Sequence, residues 1–156
     1  MNREAAAPSA LSGSCLCGEV RFEVSGPLPM LYQCHCSLCR KQGGSVSNTG
    51  LIVAAEKFRW LGGESGVATW RRPTGFRSHF CRRCGAPVPN PLRDTGHVWV
   101  PAGLIDGDTG LKVGAQLWLS SRMDVDRPRS DGLQFDEAPD LAELVALLHG
   151  SGDAGA

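Results

Sequence analysis

Seven cysteines in three short clusters constrain this chain more than any other feature of its sequence. They form an N-terminal pair, a middle cluster and a C-terminal pair: Cys15 and Cys17; Cys34, Cys36 and Cys39; Cys81 and Cys84. An odd number of cysteines argues against a complete disulfide framework, whereas zinc accepts thiolates tetrahedrally at about 2.3 Å. Metal binding is therefore the first explanation for the clusters.

The N-terminal and C-terminal pairs together predict one closed, structural zinc site, which we call the four-cysteine site. Each pair has two sulfurs two or three residues apart, close enough to bind one ion. A glycine follows each pair, Gly18 or Gly85, and lets the chain turn back toward the sulfurs. The ion would join two segments roughly 65 residues apart and offset a large loop-closure cost.

The middle cluster offers three thiolates within six residues, and no fourth cysteine remains for it. A zinc ion on Cys34, Cys36 and Cys39 would keep one coordination position for water or substrate, as catalytic zinc sites do. These three cysteines are thus predicted to be catalytic as well as metal-binding. The alternatives are an iron–sulfur cluster, free thiols packed in the core, or a thiol adduct carried without metal. A redox pair at Cys81 and Cys84 would leave the other five cysteines unexplained.

Other residues carry weaker signals. His35, between two predicted ligands, can serve as a proton shuttle or a fourth ligand, but we expect it to point outward because neighbours in a short loop diverge. The tryptophans at positions 60, 70, 99 and 118 are expected in the core.

Frequent turn residues, 20 glycines and 10 prolines, separate short apolar segments and predict a mainly all-β fold of packed sheets. Strands are expected at residues 19–24, 28–33, 45–53, 58–61, 67–71, 76–80, 97–101 and 111–119. A short helix is predicted from Cys36 to the glycines at 43 and 44. A second helix is predicted over residues 139–149, where Leu141, Leu144, Val145 and Leu148 recur at helical spacing.

We expect one zinc-binding domain over residues 13–150, with a disordered leader at 1–12 and a frayed tail at 151–156. The absence of a secretory signal and of a long apolar run predicts a cytoplasmic protein without a membrane partner. Formal net charge is zero and no block of like charge occurs, which argues against nucleic acid as a partner. The oligomeric state is left open.

The three cysteine clusters lie in a CxCG motif at 15–18, CHCSLC at 34–39 and FCRRCG at 80–85, and a fourth motif, VPAGLID at 100–106, follows without a cysteine. In this order they resemble the glutathione-dependent formaldehyde-activating enzymes, grouped with the centromere protein V-like domain, from about residue 13 to about residue 120. The resemblance implies a β-tent of layered antiparallel sheets and a structural zinc between the first and last clusters. It also implies a second zinc on the middle cluster, where a glutathione adduct would bind.

By the same resemblance, the activity would be that of a zinc-dependent carbon–sulfur lyase acting on a small thiol–aldehyde adduct. The reference reaction forms S-(hydroxymethyl)glutathione from formaldehyde and glutathione, with glutathione as co-substrate. Arg77 matches a family position and is predicted to contact the carboxylates of such a thiol. The alternative is a zinc-stabilised binding module without catalysis, which would not need an open three-thiolate site.

Overall fold

The computed structural model describes residues 9–128 and 130–150, and this part of the chain is predominantly β. Its strands are β1 (Ala10–Ser14), β2 (Arg21–Ser25), β3 (Leu31–Cys34), β4 (Asn48–Ala54), β5 (Phe58–Gly62), β6 (Val67–Arg71), β7 (Arg77–Cys81), β8 (Pro87–Val88), β9 (Asn90–Pro91), β10 (His97–Pro101), β11 (Val113–Leu117) and β12 (Leu133–Gln134). Its α-helices are α1 (Ser37–Gly43) and α2 (Leu141–Leu148). The predicted all-β fold with a short C-terminal helix is confirmed.

The strands form three sheets. The largest has the order β12-β11-β3-β4-β10-β9, and the two smaller ones have the orders β1-β2-β5 and β6-β7-β8. The expectation of purely antiparallel sheets is not met at β11, which runs parallel to β3 and to β12. Parallel neighbours need a long crossover connection, and here most of the chain lies between β3 and β11.

The central strands of the large sheet are buried on both faces. Leu51 and Val53 of β4 pack toward the sheet that contains β1, whereas Ile52 between them packs toward α2. Side chains alternate between faces along a strand, so consecutive apolar residues indicate a strand covered on both sides. The large sheet is therefore the middle layer of the fold, with a hydrophobic core on each face.

The first strand begins within the segment predicted to be a disordered leader. Residues 1–8 of the predicted leader lie outside the described residues, as does the predicted tail at 151–156. Ala10–Ser14, however, pairs with β2 as an antiparallel strand, so the predicted leader extends too far. Leu11 explains the pairing, since it is 5% exposed and packs with Phe22 and Val24.

The C-terminal helix closes the core on one face of the large sheet. The Asp140 side chain caps α2 by accepting a hydrogen bond from the Glu143 amide at 2.8 Å. Leu144 and Leu148 are buried in the same cluster as Cys34, as the helical spacing of the leucines predicts. Within the described part of the chain, neither α-helix is long and apolar enough to cross a membrane.

Gly13 provides a stability test of the contact between β1 and its neighbours. A β-carbon at this position would lie 2.6 Å from the Leu104 carbonyl oxygen and would also clash with the Phe22 ring. Gly13→Ala is expected to lower the free energy of unfolding by about 2 kcal/mol, since overpacking forces the backbone to shift. Gly103→Ala is the matched control, because nothing lies within 4 Å of the added carbon. Equal urea midpoints for the two variants would contradict this packing.

Candidate metal centres and the adjoining cleft

The N-terminal and C-terminal cysteine pairs meet in space although 64 residues separate Cys17 from Cys81. Their four sulfurs all lie within 4.8 Å of one another. The Cys15 and Cys17 sulfurs are 3.5 Å apart, and those of Cys17 and Cys81 are 3.8 Å apart. Tetrahedral zinc with bonds of about 2.3 Å places its sulfurs roughly 3.8 Å apart, so the spacing fits one ion.

The two pairs sit on similar tight turns. The Gly18 amide donates to the Cys15 carbonyl oxygen at 2.9 Å, and the Gly85 amide donates to the Cys81 carbonyl oxygen at 2.8 Å. Both glycines have a positive φ, 77° and 75°, which explains why the sequence uses glycine there. The Val20 amide donates to the Cys15 sulfur at 3.3 Å, the type of contact expected around a thiolate ligand.

Two of the four cysteines at the four-cysteine site pack in a hydrophobic cluster. Cys15 and Cys81 are buried with Val20 and Val88 in a small cluster between the two three-stranded sheets. Cys17 is exposed, so its side chain contributes little to this core. The Ala86 amide lowers the pKa of the Cys84 thiol to about 6, which favours the thiolate at neutral pH.

The middle cluster is formed where β3 leads into α1. Cys34 is the last residue of β3, Cys36 caps α1 with a sulfur that accepts from the Cys39 amide at 3.4 Å, and Cys39 lies in the first turn. The three sulfurs lie within 4.8 Å of one another. Cys34 is buried, whereas Cys36 and Cys39 are partly exposed. This group can therefore hold a metal ion that still faces solvent on one side.

Protons are shared unequally among the three thiols of the middle cluster. Hydrogen bonds from Cys34 and Cys39 lower the pKa of Cys36. Hydrogen bonding to Cys36 raises the pKa of Cys34, and hydrogen bonding to Cys34 raises that of Cys39. These pKa shifts favour the thiolate at Cys36 and the protonated thiol at Cys34 and Cys39, since neighbouring negative charges repel each other. A cation would relieve this repulsion, which is what a metal ion bound to three thiolates does.

A two-part cleft opens beside the middle cluster. Its inner part has a volume of about 140 Å³ and is lined by Tyr32, Cys39, Gln42, Gly75, Phe76, Arg77, Asn90, Pro91, Leu92, Arg93 and Trp99. Its outer part has a volume of about 350 Å³ and is lined by Leu38, Lys41, Gln42, Trp70, Arg72, Phe76, Ser78, Phe80, Gly85 and Pro87. Because Gln42 and Phe76 line both parts, the cleft runs from Cys39 toward the turn that carries Gly85.

The cleft is positively charged and contains polar atoms without partners. Arg77 and Arg93 line the inner part, Lys41 and Arg72 line the outer part, and no acidic residue is among the lining residues of either. Arg77 Nε and Asn90 Oδ1 are buried, and neither finds a hydrogen-bond partner in the part of the chain that the structure describes. Buried polar groups usually have partners, so Arg77 and Asn90, which both line the inner part, each keep an unused hydrogen-bonding atom next to the cleft.

Arg77 lines the inner part of the cleft, and the ion pair it makes among the described residues is loose. One of its terminal nitrogens is 3.9 Å from the carboxylate of the fully exposed Asp94. Trp70 departs from the sequence expectation, because it is 55% exposed in the wall of the outer cleft rather than buried in the core. Trp99 is buried at the inner end, as expected.

His35 does not point outward, and the expectation made for it is wrong. Its side chain is completely buried. Nδ1 lies 2.5 Å from Asp126 Oδ2, and Nε2 lies 2.8 Å from Gln116 Oε1. Both partners are distant from His35 in sequence, so the residues next to His35 do not indicate that its side chain is buried. Being buried, His35 reaches neither solvent nor the cleft, and a proton shuttle is excluded on geometric grounds.

The fold and the two clusters define a predominantly β protein with a four-cysteine and a three-cysteine group, each able to hold a metal ion. Among known proteins, the sequence profile described as glutathione-dependent formaldehyde-activating enzyme matches residues 10–121. The chain belongs to this family, as the order of its cysteine motifs predicts.

One curated relative and one solved structure show how far this similarity extends. A Halomonas elongata protein is 38% identical to this chain over 84 residues. Its name describes it, by inference, as a glutathione-dependent formaldehyde-activating enzyme. The match covers 50% of this chain and 54% of that protein, so the chain spans about half the length of this relative. A Rhodobacter sphaeroides crystal structure matches with a TM-score of 0.52 and 23% identity, over 62% of this chain and 89% of that one. This second match supports the fold alone.

Proposed function

We propose that the protein catalyses the reversible addition of glutathione to formaldehyde, which is carbon–sulfur lyase chemistry in the breakdown direction. Both cysteine groups fall inside one domain, which we predict over residues 13–150 from the sequence and extend to Ala10 because the first strand pairs there. A reducing compartment such as the cytoplasm would keep the seven thiols available for metal binding. The family assignment and the Halomonas elongata relative support this choice of substrates.

The observation that carries the proposal is the position of Cys39, which belongs to the middle cluster and also lines the inner cleft beside Arg77. Cys34, Cys36 and Cys39 would hold zinc, with sulfur spacing that suits one ion. Zinc bound in this way would supply a coordination position for a substrate thiol and lower the pKa of that thiol. The four-cysteine site would hold a second zinc with a structural role, since protein sulfurs complete its coordination.

The cleft's charge suits the rest of the glutathione molecule. Glutathione carries two carboxylates on a flexible peptide, and the inner and outer parts of the cleft each provide two cationic side chains. Arg77, whose side chain is 21% exposed, would donate to one carboxylate through its guanidinium group, and charge-assisted hydrogen bonds of this kind are strong. Lys41 and Arg72 would attract the second carboxylate at the outer end. The thiol would then lie near Cys39.

The remaining chemistry needs one carbon–sulfur bond and one proton. In synthesis, the glutathione thiol loses its proton and its sulfur adds to the carbonyl carbon of formaldehyde. The carbonyl π bond breaks as the carbon–sulfur bond forms, and the oxygen takes up a proton; breakdown reverses these changes. Tyr32 lines the inner cleft, and burial raises the pKa of its hydroxyl well above the usual value. Its hydroxyl therefore stays protonated and can donate a hydrogen bond to the carbonyl oxygen. Phe76 and Trp99 line the same space and limit the entry of water.

Zinc-loaded protein should accelerate the exchange of ¹³C label between formaldehyde and S-(hydroxymethyl)glutathione, measured by NMR exchange spectroscopy at equilibrium. Equilibrium exchange is the appropriate readout because the uncatalysed reaction also proceeds. The same measurement is made on the protein after its zinc has been removed, and again after zinc has been added back. A reconstituted two-zinc protein that leaves the exchange rate at its uncatalysed value would refute the enzymatic proposal and leave a zinc-stabilised binding module.

Arg77→Ala is expected to raise the KM for glutathione by roughly 10-fold or more, the usual cost of losing a hydrogen bond to a charged group. It should leave the KM for 2-mercaptoethanol, which has no carboxylate, within about twofold of wild type. Arg59→Ala is the matched control, because Arg59 is 68% exposed and pairs with Glu23 on the sheet that contains β2. Equal changes for both thiols would show that Arg77 does not bind the carboxylate.

A further inference from the structure

A buried polar network lies behind the middle cluster and is not used by the chemistry proposed above. His35 occupies the position between Cys34 and Cys36, and both of its ring nitrogens are engaged, one by Asp126 and one by Gln116. All three side chains are buried, with exposures of 0% for His35, 6% for Asp126 and 0% for Gln116. Such a network is costly to bury unless its members are paired.

The backbone of His35 is fixed as firmly as its ring. Its amide donates to the Leu117 carbonyl oxygen at 2.9 Å, and its own carbonyl oxygen accepts from Arg40 Nε at 3.1 Å. Leu117 also stands opposite Cys34 in the parallel pairing of β11 with β3. The loop that presents Cys34 and Cys36 is therefore held from β11, from α1 and from the segment that contains Asp126.

The hydrogen-bond roles around His35 are largely determined by chemistry. A carboxylate only accepts, so His35 Nδ1 donates to Asp126 whichever way the Gln116 amide is turned. In the orientation found, Gln116 Nε2 is buried and lacks a partner among the described residues. The amide can contact His35 in either orientation, since its oxygen can accept from the ring Nε2 or its nitrogen can donate to it. These contacts fix the rotation of the ring, and with it the backbone between two metal-binding sulfurs.

We propose that Asp126 and Gln116 are positioning residues for the middle metal site, acting through His35. They hold the loop so that the sulfurs of Cys34 and Cys36 are already close to the Cys39 sulfur before the ion binds. Ligands placed in advance lower the ordering cost of binding, and partners behind a metal site typically change its affinity 10–100-fold. The inference rests on the proposed zinc at the middle cluster and goes beyond it by naming residues that touch neither metal nor substrate.

Zinc affinity at each site, measured by competition with a chromophoric chelator, tests this inference. Asp126→Ala is expected to weaken zinc binding at the middle cluster by roughly 10–100-fold while the four-cysteine site keeps its affinity. Asp126→Asn retains an oxygen acceptor for Nδ1 and should show a smaller loss. Asp124→Ala is the matched control, since Asp124 is an exposed aspartate in the same segment. Gln116→Met, which removes the acceptor at similar volume, gives a second test if Asp126→Ala fails to fold.

The visible spectrum of cobalt-substituted protein provides a readout that general destabilisation would not change. In folded Asp126→Ala, the bands of the three-thiolate site should shift or weaken, while those of the four-thiolate site stay at wild-type positions. Affinity at the middle cluster within twofold of wild type, or an equal loss at both sites, would overturn the inference. Wild-type protein that binds no zinc at the middle cluster would overturn the proposed function as well, which separates the two failures.

Discussion

Cys36→Ser is expected to lower the rate of formaldehyde–glutathione exchange by roughly 100-fold or more, because it removes a ligand itself and not an outer partner, whose loss costs 10–100-fold. Cys36 is the informative choice among the three cysteines. Its sulfur is partly exposed and caps a short helix, so the substitution removes little core packing, and serine can still cap the helix. Loss of activity would then reflect loss of the metal site.

The measurement is the NMR exchange rate, together with circular dichroism and zinc content for each protein. Ser37→Ala is the matched control, since Ser37 is the exposed neighbour of Cys36 at the start of α1. Cys36→Ser should keep the wild-type spectrum and lose one zinc per chain, while Ser37→Ala should match wild type throughout. A folded Cys36→Ser protein with full activity would exclude the middle cluster as the catalytic site.

The second large effect is expected at the four-cysteine site, where Cys17→Ser should destabilise the whole fold. Cys17 is exposed, so the substitution leaves the core intact and removes only one metal ligand. Structural zinc contributes folding free energy directly, and losing several kcal/mol lowers Tm by about 10 °C or more in a chain of this length. We expect the two three-stranded sheets, which the zinc ion would hold together, to separate first.

Thermal unfolding with zinc and with excess chelator measures this contribution. Leu16→Ala is the matched control, because Leu16 adjoins Cys17 and is 86% exposed. Wild type and Leu16→Ala should both lose stability when chelator is added, whereas Cys17→Ser should already be near its chelated Tm. A Cys17→Ser protein that melts with the wild-type profile would show that the four sulfurs meet without a structural ion.

The parts of the fold that follow from local pattern could be predicted from the sequence. The bounds of β6 and β10, Val67–Arg71 and His97–Pro101, match the expected strands, since apolar and β-branched residues there lie between clear turn signals. Cysteine spacing with glycine predicted which sulfurs meet at the four-cysteine site, because the ligand chemistry leaves few alternatives. The spacing of the leucines likewise predicted the helix α2 and the face of it that is buried.

The features that were missed depend on residues far away in the sequence. The inward position of His35 needs Asp126, 91 residues later, and Gln116, 81 residues later, and no local pattern links them. The strand at Ala10–Ser14 consists mostly of small residues and forms because β2 offers it a partner. The position of His35 between two predicted metal ligands indicates that its side chain is constrained, but it does not indicate whether that side chain points into the core or toward solvent.

Zinc content per chain, measured on protein purified natively under reducing conditions, tests directly whether both cysteine groups bind metal. We expect two zinc ions per chain, falling to one in Cys36→Ser, with the remaining ion held by the four-cysteine site. One zinc ion in the wild type, unchanged in Cys36→Ser and accompanied by three thiols that react freely with a thiol reagent, would contradict it.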